Sequence, residues 1–290
     1  AIQAYEDLRY RAGAPGGVTG LSTGFADLDR MLCGMQPTDL LILAARPSMG
    51  KTAFALNVVA HAVLKKRVPV AFFSLEMGRL QLLQRMMCSE ARVSGDRMRS
   101  GRLRKDDWPA IFDASEKLAA APLYVDDLSG QSIAQVRSKC RQVVDLGLVV
   151  VDYLQLMRGT QSKNGNREQE IASISRGLKG LAKELNIPVL ALAQINRGVE
   201  SRVDKRPLMG DLRESGAIEQ DADVIMFLYR DEVYNPEPEN QGLAELLIRK
   251  HRNGSTGDVK LGWRKEFTRF DNLVFNSTGP TAGDVRQWQD

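Results

Sequence analysis

The stretch AARPSMGKT, residues 44–52, carries the strongest local signal in this chain. It follows the phosphate-loop pattern G-x-x-x-x-G-K-[ST] except at the first position, where Ala45 replaces glycine. The apolar segment 39–45 before the motif predicts a buried strand, and the apolar spacing over residues 52–66 predicts a helix. A helix that begins directly after such a loop presents free N–H groups and a positive dipole end to a phosphate. The surroundings of the motif therefore favour phosphate binding over a chance match.

Ala45 is a mild departure from the pattern. Its side chain adds one methyl group to glycine and excludes mainly backbone conformations with positive φ. We therefore expect a negative φ at Ala45 and the close approach to phosphate at Gly50. Lys51 is expected to reach the β- and γ-phosphates, and the hydroxyl of Thr52 to ligate Mg²⁺. The predicted nucleotide contacts are Ala45, Arg46, Pro47, Ser48, Met49, Gly50, Lys51, Thr52 and Ala53.

The composition is typical of a globular protein. Of the 290 residues, 43% are hydrophobic and 26% are charged, which is enough apolar mass for one large domain or two small ones. No apolar run has the length needed to span a bilayer, and the N-terminus lacks an apolar signal core, so we expect no membrane segment. The three cysteines form no CxxC pair, which favours a reducing compartment. The net charge of +4 permits a polyanionic partner without requiring one.

Short apolar runs alternate with longer helical patterns through most of the chain. Near-continuous apolar strands separated by helices indicate a mainly parallel sheet covered on both faces, that is, an α/β fold. The last strand-like segments are joined by tight turns, so we expect an antiparallel extension at the C-terminal end. The predicted parallel strands are 39–45, 68–76, 123–127, 146–156, 187–195 and 222–230, with a helix over 171–185. We expect a helix and linker over 1–18, the main domain over 19–273 and a loose tail over 274–290.

Three polar residues stand at the ends of predicted strands, where ligands of open α/β sheets bind. Asp152 follows four apolar residues and is suited to hold Mg²⁺ through water. Glu76 could activate an attacking water, but a glutamate at a helix start is an equally good interpretation. The amide of Gln194 could bind a γ-phosphate, although a strand-end glutamine is usually just solvated. These residues become informative mainly because the phosphate loop is present.

A basic cluster, residues 249–252, leaves a later strand. Arg252 and Lys250 could cover a phosphate bound to a neighbouring subunit, as arginine fingers do. Alternatively, the cluster could protect an exposed edge strand, which lysine and arginine often do.

Two polar loops also follow predicted strands. Lys163 and Arg167 lie in the first loop, and the second is richer in arginine. Such clusters suit a nucleic-acid backbone, whose contacts are electrostatic and independent of sequence, although a solvated polar loop competes with this interpretation, above all for the first loop. The basic residues of the second loop are Arg197, Arg202, Lys205, Arg206 and Arg213.

Together these segments resemble the C-terminal motor domain of DnaB-type replicative DNA helicases over residues 19–273. The segments that carry the resemblance are TGFADLDRMLCGMQPTDLLILAARPSMGKTAFALN, FFSLEM, VVVDYLQLM, NREQEIASISRGLKGLAKELNIPVLALAQINR, KRPLMGDLRESGAIEQDAD and IRKHRNG. Alanine at position 45 is common in that family, so Ala45 no longer counts as a departure. The family's N-terminal collar has no counterpart here, and the residues before 19 resemble its linker helix. We therefore expect this chain to be part of a longer protein.

The resemblance implies a RecA-like P-loop NTPase core that assembles into a homo-hexameric ring, binds ATP and Mg²⁺ between subunits and moves along single-stranded DNA. It implies Glu76 as the catalytic glutamate and Gln194 as the residue that couples γ-phosphate to the DNA loop. Arg252 matches the arginine finger, with Lys250 beside it. It further implies a helicase loader, primase and other replisome proteins as partners. The location that it implies is the cytoplasm of a bacterial or phage-infected cell, with the plastid stroma as an alternative. The residues that it assigns to DNA binding are Arg213, Glu214 and Gly216.

Two other functions compete with the helicase. A RecA-like ATPase that pairs strands or signals shares the phosphate loop, but the DLRESGAIEQDAD segment looks like the helicase family's own DNA loop. A non-catalytic assembly platform would not require the complete set of motor residues. Unwinding of a forked duplex, compared with strand exchange, separates the first alternative from the helicase.

Overall fold

The computed structural model describes residues 17–159, 167–212 and 216–273. The predicted helix and linker lie almost wholly outside these ranges, as does the predicted tail after residue 273. No helix in the described ranges is long and apolar enough to cross a membrane.

The described strands form one sheet, and all the predicted strands are present. In chain order they are β1 (Leu40–Ala45), β2 (Val70–Ser74), β3 (Leu123–Asp126), β4 (Leu148–Asp152), β5 (Val189–Gln194), β6 (Val224–Tyr229), β7 (Leu243–His251), β8 (Gly257–Arg264) and β9 (Arg269–Asn272). Their spatial order is β3-β2-β4-β5-β1-β6-β7-β8-β9. The first six strands are parallel, whereas β7, β8 and β9 join by antiparallel pairing. The expected mainly parallel sheet with an antiparallel C-terminal extension is therefore confirmed.

Helices cover both faces of this sheet. They are α1 (Ala26–Leu32), α2 (Lys51–Ala60), α3 (Arg79–Ala91), α4 (Gly95–Ser100), α5 (Asp107–Ala119), α6 (Ile133–Cys140), α7 (Arg167–Leu185) and α8 (Gly216–Asp221). The helical pattern over 52–66 corresponds to α2 followed by one wider turn, His61–Lys65. The long helix α7 extends at least four residues further towards the N-terminus than the predicted start at residue 171.

The central strand β1 shows why these strands are apolar on both sides. Leu41 and Leu43 pack in one hydrophobic cluster, and Leu40 and Ile42 pack in another. Successive side chains of a strand point to opposite faces of the sheet, so a strand with helices above and below is apolar at every position. This packing places the C-terminal end of β1, and the phosphate motif that follows, at the edge of the sheet formed by the C-terminal ends of the parallel strands.

Two details differ from the predictions. Strand β2 ends at Ser74, so Glu76 lies in the turn beyond the strand and before α3 rather than at the end of the strand. Strand β7 pairs with β6 on one side and with β8 on the other. The interpretation of residues 249–252 as protection of an edge strand is therefore wrong, because β7 is an interior strand.

Candidate active site

The phosphate motif forms a tight loop between β1 and α2. Ala45 is the last residue of β1, and it is not among the described residues with positive φ. The left-handed positions of the loop are Ser48, with φ 69°, and Gly50, with φ 96°. The expectation for Ala45 is confirmed, because its strand conformation has no need of a glycine.

Gly50 is required for two reasons. Its left-handed backbone strains any residue with a Cβ, and a Cβ built there would lie 2.9 Å from Cζ of Phe270. Gly50 also precedes Lys51, the first residue of α2, so the free N–H groups of the helix begin at this point. The aromatic ring of β9 thus supports the loop from behind while the helix N-terminus remains directed at the site.

Side chains from a strand and a helix meet at Asp152. The Thr52 hydroxyl donates a hydrogen bond to Asp152 Oδ2 at 2.7 Å. Lys51 Nζ lies 3.8 Å from Asp152 Oδ1, beyond hydrogen-bond distance. That Oδ1 atom is buried and has no hydrogen-bond partner among the described residues. A buried carboxylate oxygen without a partner is costly, so this atom is suited to face a ligand.

The residues around Asp152 fit a magnesium ion. Carboxylate and hydroxyl oxygens are hard ligands, and Mg²⁺ in phosphoryl-transfer sites takes one or two protein oxygens together with phosphate and water. No cluster of three or more His, Cys, Asp or Glu side chains arranged to hold a metal occurs in the described parts of the chain.

Lys51 is held in a restricted environment. Burial lowers the pKa of its ammonium group, and the nearby carboxylates of Asp152 and Glu76 oppose that shift. Its Nζ atom also lies 4.3 Å from the ring centre of Tyr153, which is a favourable position for a cation. The sequence-based prediction missed Tyr153, although it directly follows the predicted metal ligand.

Glu76 points into the same cleft from an exposed turn. Ser74 stabilises this turn, since its hydroxyl donates to the carbonyl of Met77 at 2.6 Å. Leu75 N donates to the carbonyl of Asp152 at 2.7 Å, which ties the turn to the end of β4. The predicted catalytic carboxylate therefore faces the phosphate loop from the next element of the same edge.

Gln194 is placed beside the phosphate loop by strand register. It pairs with Ala45 across β5 and β1, and its side chain is exposed. The side-chain amide of Gln155, which the sequence pattern did not single out, makes two hydrogen bonds with the backbone of Gln194. Gln155 Nε2 donates to the carbonyl of Gln194 at 3.0 Å, and Gln194 N donates to Gln155 Oε1 at 3.2 Å.

A cleft of about 460 Å³ lies between the phosphate loop, Glu76 and Gln194. Its walls combine predicted residues with four that the sequence pattern did not single out, whereas the predicted residues Met49 and Asp152 are buried and do not line it. Its lining consists of Ala45, Arg46, Pro47, Ser48, Gly50, Lys51, Thr52, Ala53, Glu76, Met77, Arg85, Gln194, Trp263 and Thr268.

Arg46 serves the loop in an unexpected way. Its guanidinium turns away from α2, donating from Nη1 to the carbonyl of Ile195 at 2.9 Å and from Nε to Glu200 at 2.8 Å. Both partners lie in the segment that follows β5. The phosphate loop is therefore tied directly to the segment after Gln194.

Arg230 supports the loop from the other side. Its Nη1 atom donates to the carbonyl of Ser48 at 3.1 Å, and its guanidinium lies 4.3 Å from the Trp263 ring centre. Glu232 accepts two further hydrogen bonds from it. A single arginine after a strand carries little sequence signal, so only the fold reveals this contact.

Lys250 and Arg252 lie at the opposite edge of the sheet, which is formed by the ends at which the parallel strands begin. Asp223 precedes β6 and pairs with Arg252, whereas Arg230 follows β6 and contacts the phosphate loop. The length of β6 separates these points by ~20 Å. Neither basic side chain can therefore reach the nucleotide site of its own chain.

The predicted DNA contacts are only partly covered. Arg213 and Glu214 lie outside the described residues, and Gly216 is the first residue of α8. Of the other basic residues in this loop, Arg202 pairs with Asp211 at 2.7 Å, and Arg206 makes a two-point contact with Glu245. These two arginines are used within the chain, so the loop offers fewer free cations than its sequence suggested.

Comparisons with known proteins agree with this geometry. The family model described as DnaB-like helicase C terminal domain matches residues 20–272. Replicative DNA helicase DnaC of Bacillus subtilis (strain 168) is 47% identical over 287 residues, which cover 97% of this chain and 63% of that protein. A solved structure of an ATPase domain has a TM-score of 0.89 and 38% identity, covering 94% of this chain and 97% of that one. A solved structure of a DnaB-like replicative helicase has a TM-score of 0.86 and 38% identity, covering 94% of this chain and 66% of that one.

This chain thus spans less than two thirds of the length of its relative from B. subtilis. The match to the family model nevertheless includes the phosphate loop, every described strand and the cleft between them. The chain belongs to the family of DnaB-like helicase C-terminal domains.

Proposed function

We propose that this chain is the ATP-hydrolysing motor of a replicative DNA helicase, which uses hydrolysis to move along single-stranded DNA and unwind the duplex at a replication fork. The observation that carries the proposal is the meeting, at the N-terminus of α2, of Thr52, Lys51 and a buried carboxylate oxygen of Asp152 that has no hydrogen-bond partner in the described part of the chain. Oxygen ligands, a buried ammonium and free helix N–H groups in one cleft suit a magnesium–nucleotide complex and few other ligands.

Each residue has a defined task in this proposal. The backbone of Ser48 to Gly50 wraps the phosphates, and the ammonium of Lys51 binds the β- and γ-phosphate oxygens. Mg²⁺ held by Thr52 and Asp152 would neutralise charge on the phosphates. Glu76 orients and activates water in line with the γ-phosphate, because its carboxylate is exposed at the open side of the cleft.

The proposed site is completed by a second subunit. Arg252 and Lys250 lie ~20 Å from the phosphate loop of their own chain, so they are suited to the nucleotide of a neighbour. A ring in which each chain offers its nucleotide edge to the next chain's basic edge repeats one head-to-tail contact, as closed rings do. We propose a homo-hexamer on this basis, in keeping with the family.

Coupling to DNA runs through the segment after β5. Gln194 senses the γ-phosphate from beside Ala45, and Arg46 ties the phosphate loop to Ile195 and Glu200. The same segment leads to the proposed DNA contacts Arg213, Glu214 and Gly216. A change at the γ-phosphate therefore has a short covalent and hydrogen-bonded path to DNA.

The partners and location follow from the family. One of the similar solved structures is described as that of a DnaB-like replicative helicase and its interactions with primase. We propose primase, a helicase loader and other replisome proteins as partners of the full protein, with single-stranded DNA in the ring and a cytoplasmic location.

DNA-stimulated ATP hydrolysis tests the proposal. We expect Glu76→Gln to lower turnover by ~10²–10⁴-fold, since it removes a general base without changing the shape of the side chain. We expect Arg213→Ala to keep basal hydrolysis and lose stimulation by single-stranded DNA. The matched controls, Glu116→Gln and Arg102→Ala, replace exposed residues of α5 and of the loop before it. Wild-type hydrolysis in Glu76→Gln would overturn the catalytic assignment, and full stimulation of Arg213→Ala would overturn the DNA assignment.

A further inference from the structure

The two basic residues proposed to reach a neighbouring nucleotide already have partners within the chain. Lys250 Nζ donates to the carbonyl of Ala222 at 2.7 Å and also to that of Glu219. Arg252 Nη2 donates to the carbonyl of Gln220 at 2.9 Å. All three carbonyls belong to the C-terminal end of α8 or to the residue that follows it.

These contacts suit the chemistry of a helix end. The last carbonyl groups of a helix have no partners inside the helix, and the C-terminus carries a partial negative charge. Cations that donate hydrogen bonds there satisfy the carbonyls and interact favourably with the dipole. Helix α8 has six residues, too few to be stable alone, so its anchors contribute to its position.

A buried carboxylate orients the basic pair. Asp223 accepts a hydrogen bond from Leu40 N at 2.8 Å and pairs with Lys179 on α7. Its other oxygen lies 3.4 Å from Arg252 Nη1, and its carbonyl accepts from Arg252 N at 2.8 Å. Arg252 is therefore held between the start of β6 and the end of α8.

The hydrogen-bond partners of Lys250 in α8 are neutral carbonyls. Burial and the neighbouring Arg252 lower the pKa of Lys250, and the carboxylates of Asp223, Glu219 and Asp221 oppose that shift. The Arg252 side chain remains 48% exposed, so an anion can reach it from outside. A phosphate carries a negative charge that attracts both cations, whereas the α8 carbonyls are neutral, so a phosphate competes well with those carbonyls.

We propose that Lys250 and Arg252 alternate between the carbonyls at the end of α8 and the phosphate of a nucleotide in the neighbouring subunit. Nucleotide binding in one subunit then releases α8 in the next. Because α8 begins at Gly216, this release reaches a proposed DNA contact at the other end of the helix. The inference rests on the proposed function, and it adds a route from one nucleotide site to the neighbour's DNA loop.

Nucleotide-free protein provides the test, because no phosphate is then present for these residues to contact. Amide hydrogen exchange over residues 216–223 is measured for wild type, Lys250→Met, Lys250→Arg and the control Lys260→Met. Lys260 is an exposed lysine of β8. In the strand register it lies opposite Glu245, which is at the far end of β7 from Lys250. We expect about tenfold faster exchange in Lys250→Met, and near wild-type exchange in the other two variants, because Lys250→Arg keeps a cationic donor.

The second arm adds a non-hydrolysable ATP analogue and single-stranded DNA to assembled wild-type protein. We expect the analogue to accelerate exchange over the same residues and to change DNA affinity, and we expect that DNA affinity in Lys250→Met no longer depends on the analogue. Unchanged exchange in nucleotide-free Lys250→Met would overturn the anchoring, and unchanged exchange in wild type with analogue would overturn the alternation. ATP hydrolysis in Glu76→Gln and Arg213→Ala tests the proposed function. The exchange measured without nucleotide does not depend on those results, so failure of the proposed function and failure of the anchoring can be told apart.

Discussion

The two edges of the central sheet differ in how their polar groups are satisfied. At the edge of the phosphate loop, Asp152 Oδ1 and Trp263 Nε1 are buried without hydrogen-bond partners among the described residues. At the opposite edge, Asp223 pairs with both Lys179 and Arg252 and accepts a hydrogen bond from Leu40 N. One edge has unsatisfied groups beside a cleft. The other has a network of paired charges, although Asp221 Oδ2 at the end of α8 is also buried without a hydrogen-bond partner among the described residues.

Under the proposed function, this difference lets one fold serve two neighbouring nucleotide sites. An edge with free acceptors and donors is prepared for a ligand, because buried polar groups without partners are costly. In the proposed alternation, carbonyl and carboxylate acceptors at the opposite edge hold the basic side chains until an anionic phosphate competes for them. The comparison therefore predicts that changes at the two edges act on the same reaction but from different subunits.

The largest expected effect comes from mixing two inactive variants, one altered at each edge of the sheet. Arg252→Ala alone is expected to lose ~10³-fold or more in turnover, because an arginine finger neutralises charge in the transition state. A 1:1 mixture of Arg252→Ala and Glu76→Gln subunits should regain activity. In such rings about a quarter of the interfaces combine an intact Glu76 with an intact Arg252. Steady-state ATP hydrolysis of the mixture, relative to each variant alone, provides the measurement.

The recovery of ATP hydrolysis should require that subunits exchange between rings. Pre-formed rings that are kept from exchanging serve as the control and should show no recovery. If the freely exchanging mixture remains as inactive as its parents, then Arg252 does not act across the interface.

The contact between Arg230 and the phosphate loop is expected to affect ATP binding. Arg230→Met removes the donor to the Ser48 carbonyl, so the left-handed loop loses support. We expect the KM for ATP to rise about tenfold with a smaller change in kcat, in proportion to the loss of one charge-assisted hydrogen bond. The control Glu232→Gln keeps the contact with Ser48 and should change the KM less. An unchanged KM in correctly folded Arg230→Met would mean that this contact does not shape the loop.

The smallest expected effect concerns pH at the opposite edge. Burial and the nearby Asp223 raise the pKa of Asp39 to about 6, although Lys179 and Arg252 oppose that shift. An aspartate in the unfolded chain loses its proton near pH ~4, so between these values the folded state binds more protons. The contribution of Asp39 to the free energy of unfolding therefore falls as the pH rises from about 4 to about 6.

Asp39→Asn removes this titration. We expect the variant to gain ~1 kcal/mol of stability relative to wild type between about pH 4 and about pH 7, after allowance for solvent screening. Denaturant unfolding at several pH values measures the difference, and Asp96→Asn, at an exposed position of α4, provides the control. A stability difference that is constant over this pH range would contradict the assigned shift.

Local patterns were sufficient for much of the nucleotide edge. The inner parallel strands were predictable because burial on both faces makes them apolar along most of their length. Strand β3, at the end of the sheet order, is only partly buried. Ala45, Gly50 and Lys51 were predictable because a phosphate loop is continuous in sequence. The helices between β2 and β4 were not specified in advance, since α4 and α6 are short and α3 has a weak apolar stripe.

Contacts between distant segments were beyond the reach of local sequence patterns. Arg202 and Arg206 looked like free cations, but the folded chain brings Asp211 and Glu245 to them. Arg230 carried no motif, and its support of the phosphate loop depends on β6 lying next to β1. Strand order follows from the packing of the whole chain, so no single segment contains it.

The sequence by itself determined the chemistry of the nucleotide edge, since strand periodicity, the phosphate loop and the residues at strand ends are local features. Only the tertiary structure decided that Lys250 and Arg252 lie at the other edge and bind the end of α8. That placement depends on the antiparallel pairing of β7 with β6, which carries the end of β7 back to the start of β6. Pairing of this kind joins residues far apart in the chain, and its energy depends on neighbours that a local pattern does not include.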